Sequence, residues 1–137
     1  MWRHKQNGVT LIEMLVVVTI IALFAGLVVN RYFDQVARAR HVKATEQIAS
    51  LENALGIYKL ATGVFPTNEQ GLAVLSQSLG SNGPILAKEL PLDPWGHPYI
   101  YRNPGEYSPD PEIISYGADG KPGGTGEDAD IVSWKVN

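Results

Sequence analysis

The longest apolar run of the chain lies near its N-terminus. Between Met14 and Val29 the only polar residue is Thr19. Residues 9–29 would form about 31 Å of α-helix, which matches the roughly 30 Å thickness of the hydrocarbon layer. The pattern predicts a transmembrane helix over residues 9–29. Two alternatives remain open at this point: a secretory signal peptide, with Ala22 and Ala25 as small residues near a cut, and a buried core helix.

The helical pattern continues beyond the apolar run and changes character. No proline occurs from Asn30 to Thr62, and apolar residues recur there at four-three spacing, which predicts one apolar face. Gly63 follows at the position of a helix C-terminus, and Pro66 comes shortly after. We therefore predict a helix over residues 10–62, in which residues 30–62 form an amphipathic spine. The predicted face consists of Ala44, Ile48, Leu51, Leu55 and Tyr58.

Short elements are predicted after the spine. Thr67 and Gln70 have the spacing of a capping box that opens a short helix to about Leu75. Residues 80–84 are predicted as a loop, residues 85–90 as a helical turn and residues 93–96 as a β-turn. Three short strands are predicted at residues 99–102, 112–116 and 131–136. The fold class is therefore α+β, with a long N-terminal helix that covers one face of a small three-stranded antiparallel sheet.

Composition and charge narrow the possible functions. The formal net charge is −3, and from residue 103 onward there are seven acidic and two basic residues. Such an acidic C-terminal third argues against a nucleic-acid partner and allows a cation partner. The chain has no cysteine, which excludes a disulfide, a thiolate metal site and a thiol nucleophile. His4, His41 and His97 are dispersed and are assigned solvated or structural roles, and no catalytic constellation is visible.

One carboxylate, Glu13, precedes the apolar run directly. Charged groups at membrane depth are costly and by default mark function, although a carboxylate solvated by lipid headgroups is the simpler alternative. The motif Gly8-Val9-Thr10-Leu11-Ile12-Glu13, after a short basic leader, resembles the signal of prepilins. The resemblance implies that a prepilin peptidase cuts after Gly8, that the new N-terminal residue Val9 is methylated, and that Glu13 pairs with the N-terminus of a neighbouring subunit. Prepilins usually carry phenylalanine where this chain has Val9.

The same resemblance sets the orientation in the membrane. Counting positive charges alone would place the C-terminal side in the cytoplasm, because Arg31, Arg38, Arg40 and Lys43 follow the apolar run. Prepilins keep the leader in the cytoplasm instead. The resemblance therefore implies a single-pass protein of the bacterial inner membrane, with residues 1–8 as a cleaved leader and residues 30–137 as a periplasmic domain.

A glycine-rich acidic loop lies between the second and third predicted strands. Four carboxylates fall within twelve residues there, and hard oxygen ligands on a pliant loop suit Ca²⁺. Asp128 and Asp130 would point the same way in extended backbone, and Asp119 would approach from the opposite side. Backbone carbonyls near Tyr116 and Lys121 would complete the ligand set. Composition alone leaves a solvated acidic loop as the alternative.

The whole chain resembles the major pseudopilins of type II secretion systems. The matching segments are the prepilin signal, Tyr58-Lys59, residues 65–67 with 70–72, residues 92–96, and residues 128–131 with Trp134. In that family the C-terminal loop binds calcium, which implies Asp119, Asp128 and Asp130 as side-chain ligands here and leaves Glu127 solvated.

The resemblance also implies a structural subunit and not an enzyme. Such a subunit polymerises into a helical homopolymer and works with a prepilin peptidase, minor pseudopilins and an inner-membrane assembly platform. Its filament drives protein export through an outer-membrane secretin. Charged spine residues could form contacts between subunits or simply an exposed helix face: Arg38, Arg40, Lys43, Glu46 and Glu52.

Two other functions are considered. A type IV or competence pilin should usually carry a C-terminal cysteine pair, which this chain lacks. A secreted calcium-dependent domain, released by a signal peptidase, would begin near Gly26 and not at Val9.

Overall fold

A computed structural model describes residues 8–79 and 82–135 of the chain. Its main element is one α-helix, α1, Leu11–Thr62. The chain divides into two compact units, Met1–Val36 and Ala37–Asn137, and each is described separately. The predicted helix over residues 10–62 is confirmed.

In the first unit, the side chains of residues 14–28 are exposed, with Leu23 and Leu27 70% and 66% accessible to solvent. By length and composition, α1 is suited to cross a membrane. The hydroxyl of Thr19 donates to the Leu15 carbonyl at 2.7 Å. The Thr19 hydroxyl therefore has a hydrogen-bond partner within the helix, as a polar group in an apolar environment requires. The predicted segment 9–29 falls in this part of the chain.

In the second unit, the predicted apolar face of the spine is buried. Ala44 and Ile48 are fully inaccessible, and Leu51, Leu55 and Tyr58 are at most 6% exposed. Four of these residues belong to the hydrophobic core, which the sheet and the connector complete with Leu72, Val74, Leu75, Tyr99 and Ile113. The four-three spacing thus identified the core face of the helix correctly.

The helix ends where the sequence predicts. The Gly63 N–H donates to the Lys59 carbonyl at 2.7 Å, and Gly63 has φ of +87°. This is the αL termination motif, in which a residue in the left-handed region satisfies a carbonyl of the last turn. Glycine takes this conformation without the steric cost that a Cβ imposes.

The described residues after α1 form five short strands: β1 Ser78–Leu79, β2 Asn82–Pro84, β3 Ile100–Arg102, β4 Glu112–Ser115 and β5 Ile131–Val132. β3, β4 and β5 form a three-stranded antiparallel sheet in that order, with Tyr101 opposite Ile113 and Ser115 opposite Ile131. The predicted sheet is confirmed. Its last strand is shorter than predicted, because Ser133–Lys135 turn into a 3₁₀ helix, and Val136 lies outside the described residues.

Of three predictions about the connector, one is confirmed in part and two are wrong. The capping box forms, since the Thr67 N–H donates to Gln70 Oε1 at 2.9 Å and the Gln70 N–H to Thr67 Oγ1 at 3.3 Å. It closes a turn and not an α-helix, because Gly71 has φ of +55° and a 3₁₀ helix, Leu72–Ser76, follows it.

The two wrong predictions concern residues 82–90, since residues 80 and 81 of the predicted loop lie outside the described residues. Asn82–Pro84 pairs with Ser78–Leu79 as a two-stranded sheet, although a loop was predicted. Residues 85–88 bend without forming a helical turn. The Leu86 N–H donates to the Leu75 carbonyl at 2.8 Å, so a tertiary hydrogen bond uses the donor that a helix would need.

The core position of the spine predicts a matched pair of substitutions. Leu51→Ala, at a residue 1% exposed, should lower the free energy of unfolding by about 2–5 kcal/mol through lost burial and a residual cavity. Leu60→Ala removes the same atoms from a residue 88% exposed and should change it by less than about 0.5 kcal/mol. Urea denaturation of the full chain in detergent, followed by tryptophan fluorescence, measures both. Equal losses would contradict the assignment of the core face.

Candidate functional site

The N-terminal motif opens α1 with a capping arrangement. The Glu13 N–H donates to Thr10 Oγ1 at 3.4 Å, so Thr10 is the N-cap and Glu13 lies three positions later, in the first turn. Within the part of the chain that the structure describes, the Glu13 carboxylate forms no ion pair. Gly8 and Val9 precede the helix, and the rest of the predicted leader lies outside the described residues.

The second candidate site is the segment between β4 and β5, residues 117–130, which we call the acidic loop. Its start is fixed by Asp93, a carboxylate only 4% exposed. Asp93 Oδ1 accepts the N–H groups of Trp95 and His97 at 3.1 and 2.7 Å. Oδ2 accepts the Ser115 hydroxyl at 2.7 Å. The predicted β-turn at residues 93–96 closes with a 2.9 Å bond from the Gly96 N–H to the Asp93 carbonyl.

This network reaches the first residue of the acidic loop. His97 Nδ1 lies 3.1 Å from the Gly117 carbonyl oxygen, and the Gly117 N–H donates to Ser115 Oγ at 3.4 Å. The buried Asp93 carboxylate therefore connects the β-turn and the start of the acidic loop through two side chains. Because the Asp93 carboxylate accepts three hydrogen bonds, it holds the β-turn and the end of β4 in a rigid junction.

The acidic loop is folded tightly back on itself. The Ala118 N–H donates to the Glu127 carbonyl at 2.9 Å. A Cβ at Gly117 would lie 2.6 Å from the Glu127 carbonyl oxygen, and one at Gly124 would lie 2.5 Å from the Asp128 carbonyl oxygen. Both glycines also have positive φ, +65° and +91°. Glycine is required at both positions, and two carbonyl oxygens lie against the space it leaves.

The three predicted calcium ligands have different environments. Asp119 is exposed, and its Oδ1 accepts the Lys121 N–H at 3.0 Å. Asp130 Oδ2 accepts the Gly123 N–H at 2.8 Å, whereas its Oδ1 is buried without a hydrogen-bond partner. Asp128 lies in a 3₁₀ helix, Gly126–Asp128. Among the described residues, no three acidic or histidine side chains are grouped closely enough to hold a metal ion.

Among the described residues, the acidic loop offers oxygen atoms to a cation but does not assemble them into a ligand ring. A buried carboxylate oxygen without a donor is costly, and a cation would satisfy it. The glycine-lined carbonyls and Asp130 are hard oxygen donors of the type that Ca²⁺ takes. A ring of three carboxylates is not assembled here. The ligand set of Asp119, Asp128, Asp130 and the backbone of Tyr116 and Lys121 therefore stays a prediction.

Two histidines that sequence reasoning assigned to solvated or structural roles contact the acidic loop. His97 meets Gly117, as described above, and His41 Nε2 lies 2.8 Å from the Gly126 carbonyl oxygen. No sequence signal indicates the second contact, because 85 positions separate its partners. Only the folded domain brings this face of the spine to the loop.

Two charged residues of the spine, Arg40 and Glu52, interact with other parts of the same domain. Arg40 Nη1 lies 3.4 Å from Glu127 Oε1, so Glu127 is ion-paired within the chain and not simply solvated. Both side chains remain more than 40% exposed, which limits the energy of the pair. Partial burial raises the pKa of the Glu52 carboxyl, and a hydrogen bond with the Ser133 side chain opposes this shift.

The comparisons with known proteins agree with this architecture. Residues 31–134 match the family model described as type II secretion system (T2SS), protein G, and residues 3–29 match the prokaryotic N-terminal methylation motif. Type II secretion system core protein G of Vibrio cholerae is 40% identical over 139 residues, covering 97% of this chain and 94% of that protein. The protein of the same name from Pseudomonas aeruginosa is 40% identical over 141 residues, covering 98% of this chain and 99% of that protein.

A solved structure gives the same result for the fold. The crystal structure of the major pseudopilin from the type 2 secretion system of enterohaemorrhagic Escherichia coli superimposes with a TM-score of 0.54 at 36% sequence identity. The match covers 72% of this chain and 89% of that one.

A long N-terminal helix with a methylation motif, joined to a small antiparallel sheet, defines a pilin-like protein. The chain belongs to the type II secretion system protein G family. It is a major pseudopilin, a structural subunit of the type II secretion pseudopilus, which confirms the function predicted from the sequence. The alternative of a type IV or competence pilin is not favoured, and the matches indicate no enzymatic family.

The folding of the acidic loop predicts unequal effects of two neighbouring substitutions. Gly123→Ala and Gly124→Ala both place a Cβ at positive φ, +95° and +91°, which costs about 1–2 kcal/mol. Only the second places it against the Asp128 carbonyl, because nothing lies within 4 Å at Gly123. Gly124→Ala should therefore also accelerate amide exchange throughout residues 117–130 by about tenfold or more over Gly123→Ala. Equal exchange in the two variants would contradict the described packing.

Proposed function

We propose that this subunit is cut after Gly8, methylated at Val9 and held in the inner membrane by residues 9–29 with its C-terminal domain in the periplasm. From there it polymerises into a helical filament. The match of residues 3–29 to the N-terminal methylation motif supports this processing. The observation that carries the assembly step is Glu13, a carboxylate at the head of an exposed apolar helix, which pairs with no residue that the structure describes.

The chemistry of the cut supplies a partner for that carboxylate. An α-amine has a pKa of about 7.7–8 and is largely protonated at neutral pH, and methylation preserves its charge by analogy with lysine methylation. When apolar helices bundle, Glu13 of one subunit pairs with the N-terminus of the next. An unpaired carboxylate in the bundle would be strongly disfavoured. The pair therefore selects one stagger between neighbouring helices, as a buried polar residue does in a coiled coil.

The filament extends by taking subunits out of the lipid. Because lipid tails are about as apolar as the filament core, the transfer itself costs little, and packing with paired charges determines the geometry. We assign extension to an inner-membrane assembly platform, with minor pseudopilins in the same filament and an outer-membrane secretin as the exit for exported proteins. The membership in the type II secretion family supports these partners.

Glu13→Gln tests the pairing, since it removes the charge and keeps the size of the side chain. Mass spectrometry should still find Val9 as the mature N-terminus, while electron microscopy should find at least tenfold fewer filaments. Glu69→Ala, at an exposed acidic residue of the C-terminal domain, serves as the control and should leave both unchanged. Normal filaments in the Glu13→Gln protein would refute the pairing, and an uncut leader in the unmodified protein would refute the processing.

We further propose that the acidic loop binds Ca²⁺, with Asp130 as the anchoring carboxylate and Asp119 and Asp128 as further ligands. Backbone carbonyls near Tyr116 and Lys121 would complete the set. The buried, unpartnered Oδ1 of Asp130 supports this assignment, as does the excess of acidic residues in the loop. When bound, the ion would neutralise the carboxylates. It would also cross-link the first arm of the loop, which contains Asp119, to the second arm, which contains Asp128 and Asp130, in a chain without a disulfide.

Removal of the metal tests the calcium proposal. Excess chelator should lower the melting temperature of the full chain in detergent by several degrees, because a ligand that binds only the folded state stabilises it. Ca²⁺ should restore the original value and Mg²⁺ should not, since Mg²⁺ demands a stricter octahedral geometry. Asp130→Asn should melt at the same temperature with and without chelator. Identical melting curves of the unmodified protein in both conditions would exclude the site.

A further inference from the structure

We infer that His41, on the spine, is a positioning residue for the calcium site of the acidic loop. The inference rests on the calcium proposal above and assigns a role to a side chain that holds no ligand position itself. His41 would act by holding the second half of the loop in the conformation that binds the ion.

His41 is fixed on two sides. Its Nε2 lies 2.8 Å from the Gly126 carbonyl oxygen, and since a carbonyl can only accept, Nε2 carries the proton and donates. Its ring meets the Trp95 ring edge-on, with centroids 5.2 Å apart and planes at 74°. Trp95 belongs to the β-turn that Asp93 organises through a 3.1 Å bond to the Trp95 N–H. The orientation of the imidazole is therefore set by the acidic loop on one side and by the β-turn that Asp93 organises on the other.

The acidic loop has few other attachments to the domain. The hydrogen bonds of the Ala118, Lys121 and Gly123 N–H groups all go to acceptors within the loop. His97 holds the first residue, Gly117, and residues 121–126 are exposed. At the far end, the Arg40–Glu127 pair is exposed and contributes roughly 0–1 kcal/mol. Among the described residues, the His41–Gly126 hydrogen bond, at 2.8 Å, is therefore shorter than the Arg40–Glu127 pair, the other polar contact between the second half of the loop and the spine.

Its location matters for the ion because the ligands come from both arms of the loop. Gly126 is followed by Asp128 and Asp130, whereas Asp119 belongs to the first arm. Without His41 the second arm samples more conformations, and part of the binding free energy of the ion must be spent on ordering it. Calcium affinity should then fall even though no ligand has been removed.

The experiment measures calcium affinity by isothermal titration of CaCl₂ into the full chain in detergent. His41→Phe keeps an aromatic ring against Trp95 and removes the donor, so its dissociation constant should rise roughly three- to tenfold, the range expected for one hydrogen bond. His41→Gln retains an N–H donor and should stay within about twofold of the unmodified protein. Lys43→Ala, at an exposed spine residue two positions away, is the matched control and should bind normally.

The outcomes separate the two proposals. If CaCl₂ changes neither the calorimetric signal nor the melting temperature of the metal-free unmodified protein, the calcium site fails and this inference fails with it. If it binds and His41→Phe binds equally well, only the role of His41 is overturned. A merely structural role would lower the metal-free melting temperature of His41→Phe and leave its dissociation constant unchanged, and this result would also overturn the inference.

Discussion

The domain depends on the contact between one face of the spine and the sheet. A sheet of three strands, each two to four residues long, cannot bury enough apolar surface alone to be stable. The spine supplies the missing layer, with Ile48 and Leu51 at most 1% exposed against Ile113 and Tyr99 in the same core. Because all later elements are short, their positions follow from this contact and from a few buried polar bonds.

The most important of those bonds belong to Asp93. Its two oxygens satisfy three donors, from Trp95, His97 and Ser115, and so join the β-turn to the strand that leads into the acidic loop. A buried carboxylate is tolerated only when its lone pairs are used in this way. The acidic loop therefore begins at a network of buried polar hydrogen bonds inside the domain. Within the loop, residues 121–126, which follow this network along the chain, are exposed.

The sequence predicts those structural features that depend on residues close together along the chain. Helical periodicity identified the buried face, Gly63 marked the end of α1, and the prepilin motif indicated the family that the comparisons confirm. The capping box at Thr67 was also read correctly, but its outcome was not, because the backbone of Gly71 redirected the chain. The contacts of His41 and Arg40 with the acidic loop join residues more than 80 positions apart. Such pairs have no local signature and emerge only when the core is complete.

The αL termination at Gly63 has a consequence for how related chains can vary in length. The spine contributes its core residues from Ala44 to Tyr58, and the chain then leaves the helix at one fixed point. Each residue inserted between these positions would rotate everything downstream by about 100° around the helix axis. Insertions there would turn Phe65 and Pro66 away from the core, whereas added residues ahead of Ala37 leave the phase of the buried face intact. Evolutionary variation in helix length is therefore expected on the N-terminal side of the domain.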